Sequence, residues 1–373
     1  MGRTPSATTP VLESQLGVDH LARMFGIADL ADRLAAVDER ITSALGDDDA
    51  LLGPASVRVA EAGGKRIRPL FTIACAALGD VFDERVVAAA AAVELVQIGS
   101  LVHDDILDAA ATRRGRPTIN ASEGLDEALL AGDYILARAA QQAASVSQEA
   151  ARLVAAALAE LCEGQVLELR DTYDPDRTLD AHLASIRGKT AALFECACRL
   201  GAHTARLPDH NATAVARFGA GFGMSFQVID DVLDLIGDAE RLGKPTGIDI
   251  AAGVYTMPVI TTLRGPRGAE LRNLLPGRPD GDRSGATADS HEPVDGANVT
   301  AALAVVRASG SVAAALAAMD RFADEARRAV AHLNQATVGE GLWAFPRTYS
   351  TWALENLMDR RYLEVPLTAD AGA

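Results

Sequence analysis

Six aspartates are the residues whose type and spacing most directly suggest chemistry. His103-Asp104-Asp105-Ile106-Leu107-Asp108 and Gln227-Val228-Ile229-Asp230-Asp231-Val232-Leu233-Asp234 both spell Asp-Asp-x-x-Asp. On a helix, residues three and four apart share a face, so each triplet would crowd three like charges together. One such triplet is ordinarily a solvated face. Two copies, each flanked by Ile, Val and Leu, would instead be partly buried, and clustered buried carboxylates need cations. Donors that are oxygen only, without His or Cys, favour Mg²⁺. That ion takes few carboxylates and completes its shell with phosphate oxygens and water.

The cations carry a second clue. Three of the 35 basic residues are lysines, Lys65, Lys189 and Lys244, and each follows a glycine. Lys65, Arg66 and Arg68 lie in GGKRIRP, after a Gly pair that permits a tight turn. Arg113, Arg114 and Arg116 lie in TRRGRPT, just past the first aspartate motif. Lys189-Thr190 and Gly243-Lys244 complete the set. Carboxylates, Mg²⁺, Arg and Lys together are how a protein holds a diphosphate and neutralises charge on a departing one. No Walker-type loop or dinucleotide fingerprint occurs, which points away from a nucleotide.

The elements that must position these groups read as helices. From about residue 19 to 260, and again from about 299 to 362, apolar residues recur at helical spacing in segments of about 15 to 30 residues. That pattern describes an all-α, single-domain bundle. Residues 1–18 read as a polar, disordered N-terminal tail and 366–373 as a C-terminal tail, leaving a domain over 19–365. Residues 265–298 include GRPDGDRSGATADSHEPVDGAN and read as a solvated loop. The 51 acidic residues leave a net charge of −16, which argues against nucleic acid or an anionic membrane surface as the main partner. Cys75, Cys162, Cys196 and Cys198 lie in apolar helical contexts and read as buried free thiols. No signal peptide is evident, and the uncharged runs Pro69–Gly79 and Ile250–Leu263 are too short to cross a bilayer. A soluble cytoplasmic protein is expected.

Six ordered motifs give a specific resemblance: GGKRIRP, SLVHDDILD with RRGRPT, AGDYILARA, GKTAALFE, FQVIDDVLDLIGDAERLGKPTGID and YTMPVI. Across residues 30–362 the chain resembles the trans-isoprenyl diphosphate synthases, the polyprenyl synthetase family. The resemblance implies a helical bundle around a central cavity, usually a homodimer. It implies that Asp104, Asp105 and Asp108 face Asp230, Asp231 and Asp234 across the cavity mouth and bind Mg²⁺, three ions with substrate present. Arg113, Lys189 and Lys244 would hold the allylic diphosphate. Lys65, Arg68 and Arg114 would hold isopentenyl diphosphate, while Thr190 and Gln227 offer oxygens toward the allylic cation. The implied reaction is ionisation, condensation and elimination, giving an all-trans polyprenyl diphosphate of twenty carbons or more.

The chain departs from the family pattern at a few places. Gln97 stands where a His usually contacts isopentenyl diphosphate, Val254 where Lys is frequent, and Ala109–Ala111 where polar residues are common. None removes a metal ligand. Gly99, about 7.5 Å up the helix from Asp104, would leave the floor below the first motif open, with Val96 and Leu95 on the next turn. His103 reads as a packing or orienting residue, and His182 as surface or core. Two other readings remain open: a terpene synthase on the same bundle, and a non-catalytic partner subunit.

Overall fold

Asp83 starts the helix that organises the rest. Its carboxylate accepts from the backbone N–H groups of Arg85 and Val86, satisfying two donors that a helix start leaves unpaired. The alanines and valines that follow are small enough for neighbouring helices to close around them on every side. The computed structural model describes residues 16–46, 51–243, 245–275, 277 and 294–362. Lys244 and residues 363–373 lie outside that description, as do residues 1–15 of the first expected tail and half of the expected loop.

The first half comprises α1 (Val18–Phe25), α2 (Leu30–Leu45), α3 (Gly53–Glu61), α4 (Ile67–Ala77), α5 (Glu84–Leu107), α6 (Ile119–Ser122), α7 (Leu125–Val146), α8 (Gln148–Arg170) and α9 (Leu179–Ile186). A π-turn, Arg187–Ala191, leads into α10 (Ala192–Thr204) and the long α11 (Asp209–Ile236). Short α12 (Ala239–Leu242), α13 (Ile248–Ala251), α14 (Met257–Leu263) and α15 (Gly268–Arg272) precede α16 (Gly296–Arg307), α17 (Ser311–Ala329) and α18 (Thr337–Leu357). A two-stranded antiparallel hairpin, β1 (Thr112–Arg113) and β2 (Arg116–Pro117), is the one sheet among the described residues. The all-α bundle expected from the apolar spacing is what forms.

α5 is the central helix, packed on α7, α4, α10 and α2, while α11 packs on α10 and α17. Few aromatics are present, and they are concentrated. Phe71 meets Phe222 edge-on at 4.9 Å and Phe345 at 5.3 Å, and Phe194 meets Phe222 at 5.1 Å. This cluster ties α4, α10, α11 and α18 together, where such pairs add to the area they bury.

Three expectations need correction. The solvated loop begins later than residue 265, because α15 forms and buries Leu271, and Leu275 just past its end is buried as well. Cys162 is exposed, whereas Cys75, Cys196 and Cys198 are buried. Among the described residues, one helix, α5, is long and apolar enough to cross a membrane, as are α16 and α17 if taken together across their 67° bend. α5 is enclosed by the bundle, so its apolar length serves the core.

Candidate active site

The first aspartate motif ends α5. Asp108 is the C-cap residue, and its backbone N–H donates to Asp104 O. Asp105 is buried, and Arg113 Nε donates to its Oδ1 at 2.6 Å. Asp104 is partly buried and its carboxyl is raised, first by burial. Glu168 and Asp105 add to the rise, while Lys189 and Arg113 oppose it. Asp108 lies exposed at the rim, yet desolvation by the surrounding chain pushes it up to about 6. Asp104 and Glu168 reinforce that shift and Lys189 opposes it.

The second motif divides differently. Asp230 is exposed and lines the cavity. Asp231 and Asp234 are buried and turned into the protein. Gln227 Nε2 donates to Asp231 Oδ1 at 3.0 Å, and His182 Nε2 stands 3.1 Å from Asp231 Oδ2. Asp234 accepts from the backbone N–H groups of Ile248 and Asp249 at the start of α13. The expected picture of six carboxylates facing each other is therefore corrected. Asp104, Asp105 and Asp230 line the cavity, Asp108 stands at its rim, and Asp231 and Asp234 serve protein partners.

The cations are set by unusual backbone. A Cβ on Gly188 would stand 2.5 Å from Glu160 O, and one on Gly164 would stand 2.3 Å from Lys189 N. Only glycines let α8 and the π-turn approach so closely, and the approach puts Lys189 Nζ 2.6 Å from Glu168 Oε1. Burial opposes the Lys189 charge, but Glu168, Asp104 and Asp108 outweigh it, so its pKa is raised. Beside it, Thr190 Oγ1 donates to Gln227 Oε1 at 2.7 Å. Arg114 and Gly115 both have positive φ (52° and 74°), as a type I′ turn demands, and this hairpin delivers Arg113 to Asp105. Arg66 also has positive φ, and its guanidinium is taken by Asp38 at 2.8 Å and Glu94 at 2.9 Å. Arg66 is thus a structural anchor.

Lys65 Nζ sits 4.4 Å over the Trp352 ring and donates to the Tyr349 hydroxyl at 3.3 Å. Burial lowers its pKa, Asp230 opposes that, and Arg114 adds to it. Arg68 lies 4.2 Å over Phe194, and burial brings it down to about 10. Cations held dehydrated on aromatic faces are stripped of competing water and available to a polyanion.

These groups converge on one cavity of about 400 Å³. Lys65, Arg68, Arg113, Arg114, Lys189, Thr190, Gln227 and Gln97 all line it, with Leu161, Phe194 and Phe226 as apolar wall. Among the described residues, no three His, Cys, Asp or Glu side chains converge to hold a metal by themselves. Oxygen-only donors from carboxyls raised chiefly by burial nevertheless fit Mg²⁺, whose shell is completed by phosphate oxygens and water. Glu168, His182, Tyr349 and Trp352 were missed from sequence. Glu168 stands three residues after Gln165 on α8, and no charge motif marks it. Gly99 does not open onto the cavity. A Cβ there would meet Leu136 at 3.0 Å and Gly132 O at 3.3 Å on α7. Val96 and Leu95 are fully buried in the core. The α5 face toward the cavity is instead Glu94, Gln97, Ile98, Ser100 and Leu101.

Fold and site together define the all-α isoprenoid synthase class. The polyprenyl synthetase family model matches residues 49–285. The chain is 36% identical to heptaprenyl diphosphate synthase component 2 of Geobacillus stearothermophilus, over 80% of this chain and 88% of that protein. It is 35% identical to nonaprenyl diphosphate synthase of Mycobacterium tuberculosis, over 85% and 91%. A decaprenyl diphosphate synthase structure from Rhodobacter capsulatus aligns with a TM-score of 0.78 at 30% identity, covering 91% of this chain and 99% of that one. A polyprenyl synthase from Caulobacter crescentus, complexed with calcium and isoprenyl diphosphate, aligns at 0.77 with 30% identity over 90% and 97%. The chain belongs to the polyprenyl synthetase family and is a prenyltransferase.

Proposed function

We propose that this prenyltransferase condenses isopentenyl diphosphate with an allylic diphosphate to give an all-trans polyprenyl diphosphate of twenty carbons or more. The observation that carries the reading is two separate cation sets on one cavity. Arg113 and Lys189 act on Asp104 and Asp108 of the first aspartate motif, while Lys65 and Arg68 act on Asp230 of the second and Arg114 stands beside Lys65, which supports two diphosphate sites. Lys244, expected with the first set, lies outside the described residues. A terpene synthase would have no second diphosphate for the second set to hold.

Asp104, Asp108 and Asp230 are the residues that would hold Mg²⁺, and three ions with substrate bound is the number we propose. Bound Mg²⁺ supplies Lewis-acid withdrawal of charge from the allylic diphosphate. Lys189 and Arg113 take charge on that diphosphate as its C–O bond breaks, with the electron pair leaving on oxygen. Thr190 and Gln227 present oxygens to the allylic carbon. The double bond of isopentenyl diphosphate attacks that carbon, and the released diphosphate takes the proton then lost, so no side-chain base is needed. Phe194, Phe226 and Leu161 exclude water from the cation. Gln97 gives isopentenyl diphosphate a neutral hydrogen bond in place of a charge.

Relatives named for seven-, nine- and ten-prenyl products and for geranylgeranyl diphosphate support the length assigned here. Incubation with labelled isopentenyl diphosphate, several primers and Mg²⁺, with product sizing, tests the reading. No elongated product rejects it, and a hydrocarbon or alcohol product favours a terpene synthase. Ile98→Phe or Leu101→Phe should shorten the product, because both residues line the cavity. Gly99→Phe should first disturb the α5–α7 contact. Leu125, Leu129 and Leu130 are exposed on α7 and support assembly through that helix, as a homodimer. The relative named as a component 2 makes a different partner chain the alternative, and solution mass measurement with and without added protein separates the two.

A further inference from the structure

His182 is buried without a hydrogen-bond partner on either ring nitrogen, and Asp231 Oδ2 beside it also lacks one. The two side chains are 2% and 3% exposed and 3.1 Å apart, slightly off the hydrogen-bond axis. A small rotation of the ring aligns them. A position that only needed filling would not place an imidazole against a buried carboxylate.

From Asp231 a line of contacts runs to the cavity. Gln227 Nε2 donates to Asp231 Oδ1 at 3.0 Å, and Thr190 Oγ1 donates to Gln227 Oε1 at 2.7 Å. A glutamine has one donor end and one acceptor end, whereas a carboxylate only accepts. Asp231 therefore selects the amide NH₂ and leaves the carbonyl for the Thr190 proton. Thr190 then shows the cavity its oxygen lone pairs. With the amide reversed, the hydroxyl would accept from Gln227 and turn its proton inward. Lone pairs stabilise a carbon that gains positive charge, and a hydroxyl proton opposes it.

We infer that His182 is a positioning residue that holds the Asp231 carboxylate toward Gln227 and so sets which side of the Thr190 hydroxyl faces the substrate. The inference rests on the condensation proposed above. His182 and Thr190 stand on one continuous helical run, α9 and its π-turn, while Gln227 and Asp231 are four apart on α11. The relay thus joins the two helices at the reacting carbon.

Steady-state kinetics and thermal denaturation of the full chain with both substrates and Mg²⁺ test it. A parent that condenses nothing overturns the proposed reaction and the inference with it, whereas an active parent isolates the relay. His182→Leu should lower kcat at least tenfold, with both KM values within twofold. His182→Gln, which keeps a donor near the Nε2 position, should return kcat to within threefold of the parent. Added to Thr190→Val, His182→Leu should lower kcat no further. Parental kcat in His182→Leu, equal losses in the Leu and Gln variants, or multiplicative losses in the double variant would each overturn the inference. If His182→Leu does not fold, His182→Asn replaces it. Asn is too short to reach Asp231, so parental kcat in that variant would overturn the inference as well.

Discussion

Asp104, Asp108 and Glu168 surround Lys189, and the loss of water around Asp108 has a measurable consequence. Folding raises the Asp108 pKa from 3.8 to about 6. The protonated form is therefore favoured in the fold. Stability from this group is fully present below 3.8 and is lost as pH rises through about 6. A cation at the motif relieves that loss only where the carboxyl is ionised. Mg²⁺ should raise the denaturation midpoint more at about pH 7.5 than at about pH 5, and equal shifts at both would reject the placement. The cysteines make a second case. Burial pushes the Cys196 thiol up to about 12, and Cys75 and Cys198 are also enclosed. A thiol reagent at neutral pH should react rapidly with one equivalent, at Cys162, and with the other three only after unfolding. More than one fast equivalent would show that the core opens on that timescale.

At the scale of elements, the active site depends on where two helices can touch. The Gly164 and Gly188 contact brings α8 against the π-turn and sets Lys189 and Thr190 on the cavity wall. A methyl group on Gly188 meets Glu160 O at 2.5 Å, and backbone cannot yield as a flexible side chain does. Gly188→Ala should cost about 1–3 kcal/mol of stability and lower kcat more than it raises either KM, because both reacting-side groups shift. A variant with parental kinetics and midpoint would mean that the turn adapts. The hairpin makes a parallel point: its positive-φ residues aim Arg113 at Asp105 and bring Arg114 to the other cation set.

For the molecule as a whole, seven of the nine phenylalanines in a largely alanine-packed bundle do their work by being gathered. Phe222 meets Phe71, Phe194, Phe345 and Tyr349. It thereby links α4, α10, α11 and α18 beneath the cavity. Phe222→Ala should cost about 3–5 kcal/mol, lowering the denaturant midpoint. The same cluster includes the Phe194 face under Arg68, so KM for isopentenyl diphosphate should rise with it. An unchanged midpoint would show that the cluster is not the keystone of the bundle.

The amino-acid sequence by itself determined the helical class, the family and five of the cations that line the cavity, Lys65, Arg68, Arg113, Arg114 and Lys189. Those features rest on local periodicity and on residue types that stand in fixed motifs. The first aspartate motif ends α5 because Asp83 caps that helix and the alanine run propagates it within one stretch of chain. Only the tertiary structure decided which carboxylates face the cavity. Asp231 and Asp234 repeat the spelling of Asp105 and Asp108, but they meet His182 on another helix and the start of α13 beyond the end of their own. Gly99 likewise borders Leu136 and Glu168 borders Lys189 through helix contacts that no local pattern encodes. Spacing along one helix tells which side chains share a face. What that face meets is set by how the other helices pack against it.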